Sequence, residues 1–280
     1  MKVVVLGCKG MLGTDVLSAC RAAAGIEATG HDVDTLDITD SQQLKRLPFA
    51  DWVINCAAYT RVDDAEKQRD QAYAINAEGA RNLAHICARR RAGVLYVSTD
   101  YVFDGTRRSP YTEHDQTNPV NIYGASKLAG EKAVRGESVR YLVVRTQSLF
   151  GKHGPNFVRS IAKKLKAGDG PARVVADQTT APTYTRHVAD AIVRLVQLNA
   201  TGIVHVAASH SCSWHAFAEA IAQRVAPDAG VEPIESSELE RPAPRPPYAV
   251  LDTRKYRMLT GRVMPTWEQG LDEYLAEEEL

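Results

Sequence analysis

The chain of 280 residues lacks any excess of charge: Lys and Arg together number 34, and so do Asp and Glu. No global field draws it to nucleic acid or to an acidic membrane surface, so any anion site has to be local. Cysteine is sparse and unpaired in pattern. Cys8, Cys20, Cys56, Cys87 and Cys212 are odd in number and never form CxxC, which argues against a disulfide framework and for reduced thiols. Long apolar runs are missing as well. Val3 to Leu6 is far too short for the core of a signal peptide, and no later stretch reaches the length of a membrane span, so a soluble, cytoplasmic protein is expected. Eight histidines are scattered without HxxxH or a cysteine at ligand spacing, so no metal is expected and His205, His210 and His215 read as packing or surface residues. There is no GxSxG elbow, Walker loop, internal repeat or low-complexity segment, which removes the common hydrolase and nucleotide-triphosphatase readings.

What is present is an alternation of buried strands and helices, in a chain long enough for a proper core without disulfides or metal. Val3 to Leu6 is a β-branched and aliphatic run suited to a strand buried on both faces. Gly7, Gly10 and Gly13 follow at three-residue spacing and lead into a helical pattern from Met11. A strand handing over to a helix N-terminus presents backbone N–H groups and a positive dipole end to a pyrophosphate, although an ordinary strand-to-helix turn would look the same. Asp32 ends the next short strand, about twenty residues past the glycines, where an acid accepts from adenosine ribose hydroxyls and favours NAD. Lys9 in the glycine loop would favour NADP instead, so both NADPH and NADH stay open. Asp37 and Ile38 lie along the adenine or cap the helix near Asp40.

Trp52 to Asn55 reads as a third strand running into Ala57 and Ala58, where small residues permit close approach of a ligand or tight packing. One long helical region is expected from Val62 to Arg91, with Asn76 either a surface amide or a group behind the site. Val94 to Val97 is the fourth strand and delivers Ser98-Thr99-Asp100 to the sheet edge that carries the glycine loop. Tyr123 and Lys127 then share one helix face, since residues four apart are neighbours. Tyrosine ionises near pH 10, so it moves a proton at neutral pH only if a cation stabilises the phenolate, and Lys127 is placed to do that. Thr99 would orient the reacting oxygen. Gly136 is expected to end this helix, and Tyr141 to Arg145 is the fifth strand.

Beyond Gly151 the alternation loosens. Helices are expected at Asn156 to Lys166, His187 to Leu198, Ser213 to Val225 and Trp267 to Leu275, with a further buried strand at Ile203 to Ala207 and a frayed tail at Glu277 to Glu279. Arg241 to Pro247 is too proline-dense for regular structure; its two guanidiniums either clamp a diphosphate or ride a solvated loop. The expected fold class is α/β: a Rossmann-like doubly wound parallel sheet over residues 1–150, with 183–207 packing back onto it. A smaller C-terminal substrate lobe would comprise 151–182 and 208–280.

Taken together, the glycine loop, Asn55 to Asp63, Ser98-Thr99-Asp100-Tyr101-Val102-Phe103-Asp104-Gly105, Pro119 to Glu131 with Tyr123-Gly124-Ala125-Ser126-Lys127, Arg145-Thr146, and Asp177-Gln178 with Pro182-Thr183 resemble the dTDP-4-dehydrorhamnose reductases of the extended short-chain dehydrogenase/reductase superfamily. The resemblance implies reduction of a sugar C4 ketone with NADPH or NADH, Tyr123 donating the proton, Lys127 holding the nicotinamide ribose and Thr99 hydrogen-bonding the carbonyl. It implies cofactor contacts from Met11, Leu12, Tyr59 and Asn76 besides the glycines and Asp37-Ile38. Substrate contacts would come from Val62, Asp63, Tyr101, Phe103, Asn156, Gln178 and Arg245. A sugar nucleotide epimerase or dehydratase, and a non-catalytic regulatory subunit like the β subunit of methionine adenosyltransferase, are the alternatives. The dehydratases carry a carboxylate where this chain has Tyr101, and the retained Thr99, Tyr123 and Lys127 favour turnover. Two departures fall in the substrate lobe. Gln147-Ser148-Leu149-Phe150 stands where the family has Ser-Trp-Val-Tyr, and Ala249 where it has serine. The exact sugar and the oligomeric state, a homodimer included, are not written in the residues.

Overall fold

Six parallel strands form the centre of the molecule in this computed structural model, which describes residues 1–168 and 170–278. They are β1 (Lys2–Leu6), β2 (Glu27–His31), β3 (Trp52–Asn55), β4 (Gly93–Thr99), β5 (Tyr141–Thr146) and β6 (Gly202–His205), in spatial order β6-β5-β4-β3-β1-β2. The order reverses at β1, which pairs with β2 on one side and β3 on the other. A crevice opens at such a switch point beyond the carboxyl ends of the strands, where ligands sit on open parallel sheets.

Alternate residues of each strand feed the two faces. Val3, Val5, Trp52, Ile54, Leu142 and Val144 point to one core, covered by α1 (Met11–Ala22) and α8 (Thr185–Gln197). Val4, Leu6, Val53, Val94, Tyr96 and Val143 point to the other, covered by α5 (Ala80–Arg89) and α6 (Ile122–Glu137). The sheet is thus a Rossmann-like α/β layer. Residues 185–205 return to it after the chain has left, as α8 against α1 and as β6 on the β5 edge.

A separate apolar cluster lies between α7 (Phe157–Ala167), α9 (Trp214–Val225) and α11 (Trp267–Glu277), built on Phe150, Tyr184, Phe217, Leu271 and Tyr274. Small strand pairs join it: Ala172–Val175 runs parallel to Val231–Ile234, and Thr179–Thr180 antiparallel to Cys212–Ser213. Among the described residues no helix is long and apolar enough to cross a membrane.

The structure departs from the sequence reading in four places. The helix expected from Val62 to Arg91 breaks at Gln68 into α3 (Val62–Lys67) and α4 (Arg69–Tyr73), and widens into a π-turn over Ala74–Gly79. The Gln68 side chain accepts from Tyr59 Oη at 3.0 Å, and the Asn76 carbonyl accepts from Tyr96 Oη at 2.8 Å. Gly136 lies inside α6, which runs on to Glu137 without the left-handed turn that makes glycine a stop. A short helix, α10 (Arg254–Thr260), was not expected. The tail is also tied down: Glu277 ends α11 and takes Arg186 and the Tyr184 hydroxyl, and Glu278 pairs with Arg159, while Glu279 lies outside the described residues.

Candidate active site

The loop between β1 and α1 is shaped by its glycines. Gly7 has φ +71°, and a Cβ there would lie 2.6 Å from the Ala57 backbone nitrogen. A Cβ on Gly13 would strike the Gly7 carbonyl oxygen, so β1, β3 and α1 close on one another only because both positions are bare. Helix α1 has no side-chain cap and no acid in its first turn, which leaves its N–H groups and dipole turned to the cavity. Asp32, at the end of β2, accepts from the Lys9 backbone N–H at 2.8 Å, and Lys9 Nζ pairs with Asp34 at 2.5 Å. Asp37 caps nothing in α2 (Ser41–Leu44), whose cap is Asp40; with Ile38 it lines the crevice.

The chemical end is set by β4 and α6. Strand β4 ends at Thr99, and a 3-10 turn over Asp100–Val102 follows, with Thr99 Oγ1 accepting from the Tyr101 N–H at 3.2 Å. Asn121 starts α6 by accepting the Gly124 N–H at 2.7 Å, so Tyr123 emerges in the first turn and Lys127 one turn later. Behind them, Asn76 grips both backbone groups of Tyr59 and donates to Ser126 Oγ at 2.9 Å, and Ser126 donates to the Tyr123 carbonyl at 2.8 Å. One turn beyond Lys127, the fully buried Glu131 takes Arg145 through two bonds of 2.8 and 2.7 Å and Ser98 Oγ at 2.6 Å. His205 completes this cluster, and burial with the Arg145 charge pushes it down to about 3, hence neutral.

Burial dominates the electrostatics. Lys127 is 2% exposed, and desolvation brings its ammonium down to about 7 against the support of the Glu131 charge. Its Nζ donates to the Val97 carbonyl at 2.7 Å and lies 4.2 Å from the Tyr96 ring centroid. Burial and the Asp100 charge raise the Tyr123 phenol, with Thr99 opposing. Lys127 lines the same cavity as that phenol, as the four-residue helix spacing predicts. Asp100 is pushed up to about 7 by burial.

One cavity of about 1160 Å³ joins the two ends. It runs from Asp32, Asp37 and Ile38, past Gly7, Lys9, Gly10, Met11, Leu12 and Gly13, along Ala57, Ala58 and Val62, to Thr99, Tyr101, Tyr123 and Lys127. The bare glycine turn, the uncapped helix and an acid at the far end fit an extended dinucleotide.

A family model described as the RmlD substrate binding domain matches residues 1–280. A dTDP-4-dehydrorhamnose reductase of Mycolicibacterium smegmatis is 40% identical, over 98% of this chain and 85% of that protein. The chain belongs to the dTDP-4-dehydrorhamnose reductase family. The crystal structure of the Clostridium acetobutylicum reductase superposes with a TM-score of 0.96 at 36% identity, covering 100% of both chains. That of the Bacillus anthracis reductase, solved in complex with NADP, gives 0.93 at 37% identity, covering 99% of each.

Several residues that the family resemblance put at the site stand behind its wall. Phe103 is fully buried, stacked on Tyr111 at 4.2 Å between ring centroids in a small core with Val102, Ala207 and Leu251. Tyr59 packs among Ala65 and Ala72, and Asn76 acts through the backbone of Tyr59. Asn156 caps α7 and donates to the Gly151 carbonyl at 2.8 Å. None of the four lines the cavity. Arg245 forks onto the Asp63 carboxylate at 2.5 and 2.8 Å, and Asn121 donates to the Pro244 carbonyl at 2.8 Å, so the proline-rich segment is strapped to α3 and α6, while Arg241, Pro242, Pro244 and Pro247 stay exposed. The cavity lining includes neither Arg245 nor Asp63.

Thr146, His153 and Trp214 line the cavity without having been named for it, and Ser148, one of the two family departures, lines it as well. Trp214 stands in the first turn of α9 behind its cap Ser213, the only sequence hint of its position. It faces a small side chamber of about 10 Å³ together with Tyr101, Gln178 and both family departures, Ser148 and Ala249. Ser148 carries φ +46° there, a strained geometry for serine, and its hydroxyl lies 2.6 Å from Thr180 Oγ1.

Proposed function

We propose that this protein reduces the C4 ketone of a dTDP-linked 4-keto-6-deoxyhexose, dTDP-4-dehydrorhamnose or a close relative, with NADPH or NADH. The observation that carries the reading is the convergence of Thr99, Tyr123 and Lys127 on one cavity that begins at the glycine loop. A nicotinamide bound there would supply the hydride, a proton with two electrons, that the ketone carbon accepts. Tyr123 Oη gives its proton to the oxygen as charge develops there, and Thr99 orients that oxygen. Lys127 holds the ribose and supplies positive charge to the phenolate left behind.

Gly7, Gly10 and Gly13 with Met11 and Leu12 hold the diphosphate, and Asp32, Asp37 and Ile38 the adenosine half. Val62, Tyr101 and Gln178 face the sugar nucleotide, and the strap from Arg245 to Asp63 holds that side of the cavity in place. Ser148 and Ala249 share one chamber wall with Trp214, so the two departures from the family pattern act on the same part of the substrate. Residues 151–182 and 208–280 serve as the substrate lobe. The unpaired cysteines and a nucleotide-sugar substrate support a cytoplasmic location.

The test is oxidation of NADPH or NADH, followed at the nicotinamide absorbance, with enzymatically prepared dTDP-4-keto sugar. No oxidation with either cofactor and a verified substrate refutes the proposal. Tyr123→Phe is expected to lower turnover about 10²–10⁴-fold while cofactor still quenches tryptophan fluorescence.

A further inference from the structure

We propose that Asp100 is a positioning residue that works as the neutral acid, setting the direction in which the Thr99 hydroxyl donates. The inference rests on the ketoreductase reading and deepens it. Asp100 follows β4 directly, is 3% exposed, and lies at the wall of both the main cavity and the side chamber. Thr99 Oγ1 lies 2.8 Å from Asp100 Oδ1 and already accepts from the Tyr101 N–H. A hydroxyl has one proton. With an ionised carboxylate beside it, that proton is committed to Asp100 Oδ1 and none is left for a ketone oxygen.

Protonating Asp100 reverses the bond. The acid donates to Thr99 Oγ1, and the threonine proton turns into the cavity toward the Tyr123 hydroxyl and the reacting oxygen. The same proton removes a second obstacle, because a carboxylate next to a forming alkoxide opposes it and raises the phenol that must give up its proton. The surroundings suit the neutral form. Tyr123 faces Asp100 from α6 and Tyr101 from its own turn. Arg245 and Arg241 of the proline-rich segment act on Tyr101, and Lys127, on the same cavity, is engaged with Val97. Among the described residues, Thr99 and two backbone N–H groups oppose the effect of burial on this carboxyl, and no cation does.

Two measurements decide it. In protein labelled with ¹³C-aspartate, the Asp100 carboxyl resonance, assigned by its loss in Asp100→Asn, is expected to titrate with a midpoint between about pH 6 and 8. A midpoint below about pH 5 overturns the proposal. In steady-state reduction of the dTDP-4-keto sugar, wild-type kcat is expected to fall about tenfold per pH unit above that midpoint. Asp100→Asn, whose amide donates to Thr99 at every pH, turns over more slowly but without that alkaline fall. A variant that keeps the wild-type midpoint assigns the fall to another group, Lys127 foremost, and refutes the role of Asp100. The carboxyl titration needs no turnover: if the protein fails to oxidise cofactor, the ketoreductase reading falls, and the midpoint still decides whether a neutral acid stands beside Thr99.

Discussion

Replacing Lys127 by methionine should make the protein inactive and, at pH 6, more stable. The ammonium's pKa falls from 10.5 to about 7 on burial, a fall of about 3.5 pH units, or roughly 5 kcal/mol at about 1.4 kcal/mol per unit. Below pH 7 the lysine is charged in both folded and unfolded chains, so the whole penalty acts on the folded state. Between pH 7 and 10.5 the unfolded chain binds the extra proton, and wild-type stability rises with pH. About two of those units are recovered by pH 9, which returns about 3 kcal/mol to the wild type. Methionine removes the penalty but leaves the Val97 carbonyl, now 2.7 Å from Nζ, without its donor, a loss of about 1–3 kcal/mol at any pH. The variant should therefore be more stable by roughly 2–4 kcal/mol at pH 6 and near parity with the wild type at pH 9. Urea unfolding of both proteins at the two pH values measures the gap by linear extrapolation. A gap that stays constant from pH 6 to pH 9 would refute the desolvated ammonium, whatever its absolute size.

Three further outcomes follow from the geometry. Gly13→Ala drives a methyl into the Gly7 carbonyl and is expected to cost about 1–3 kcal/mol of stability; it should also weaken cofactor binding at least tenfold, read by fluorescence titration and melting. Glu131→Gln leaves the Arg145 guanidinium, 3% exposed, without its counter-charge and should cost about 3–5 kcal/mol in urea unfolding; adding Arg145→Met should recover part of it, and no recovery would place the loss elsewhere. Arg245→Lys cannot reproduce the fork on Asp63, so KM for the sugar nucleotide should rise several-fold with kcat little changed. An unchanged KM would detach the strap from the substrate side.

The parts that could be read from sequence are those that local pattern controls. Runs such as Val3 to Leu6 and Trp52 to Asn55 carry their burial in their composition, and the sheet uses them as two-faced strands. Gly7 and Gly13 announce a turn that no other residue allows. Tyr123 and Lys127 meet because four residues on a helix bring them together. Residues placed by long-range packing were not legible in the same way. Phe103 sits in a motif beside Tyr101, yet the 3-10 turn sends Tyr101 to the cavity and Phe103 into the core. Asn156 looks like a polar ligand residue and is a helix cap. Trp214 reaches the cavity from a helix whose position depends on packing against α7, which no local pattern reports. The pairing of Asp63 with Arg245 joins residues 182 positions apart, so neither side chain announces the other.

That strap also fixes the order in which the protein becomes complete during synthesis. The glycine loop, β1 to β4 and the Tyr123 helix are all synthesised before the segment that carries Arg245. Asp63 and Asn121 must then wait for Arg245 and Pro244, 182 and 123 residues later. A nascent chain therefore carries every residue of the dinucleotide wall well before it carries the segment that braces the sugar side. The brace on the sugar side is thus made after the dinucleotide wall, and it joins segments far apart in the chain across the site.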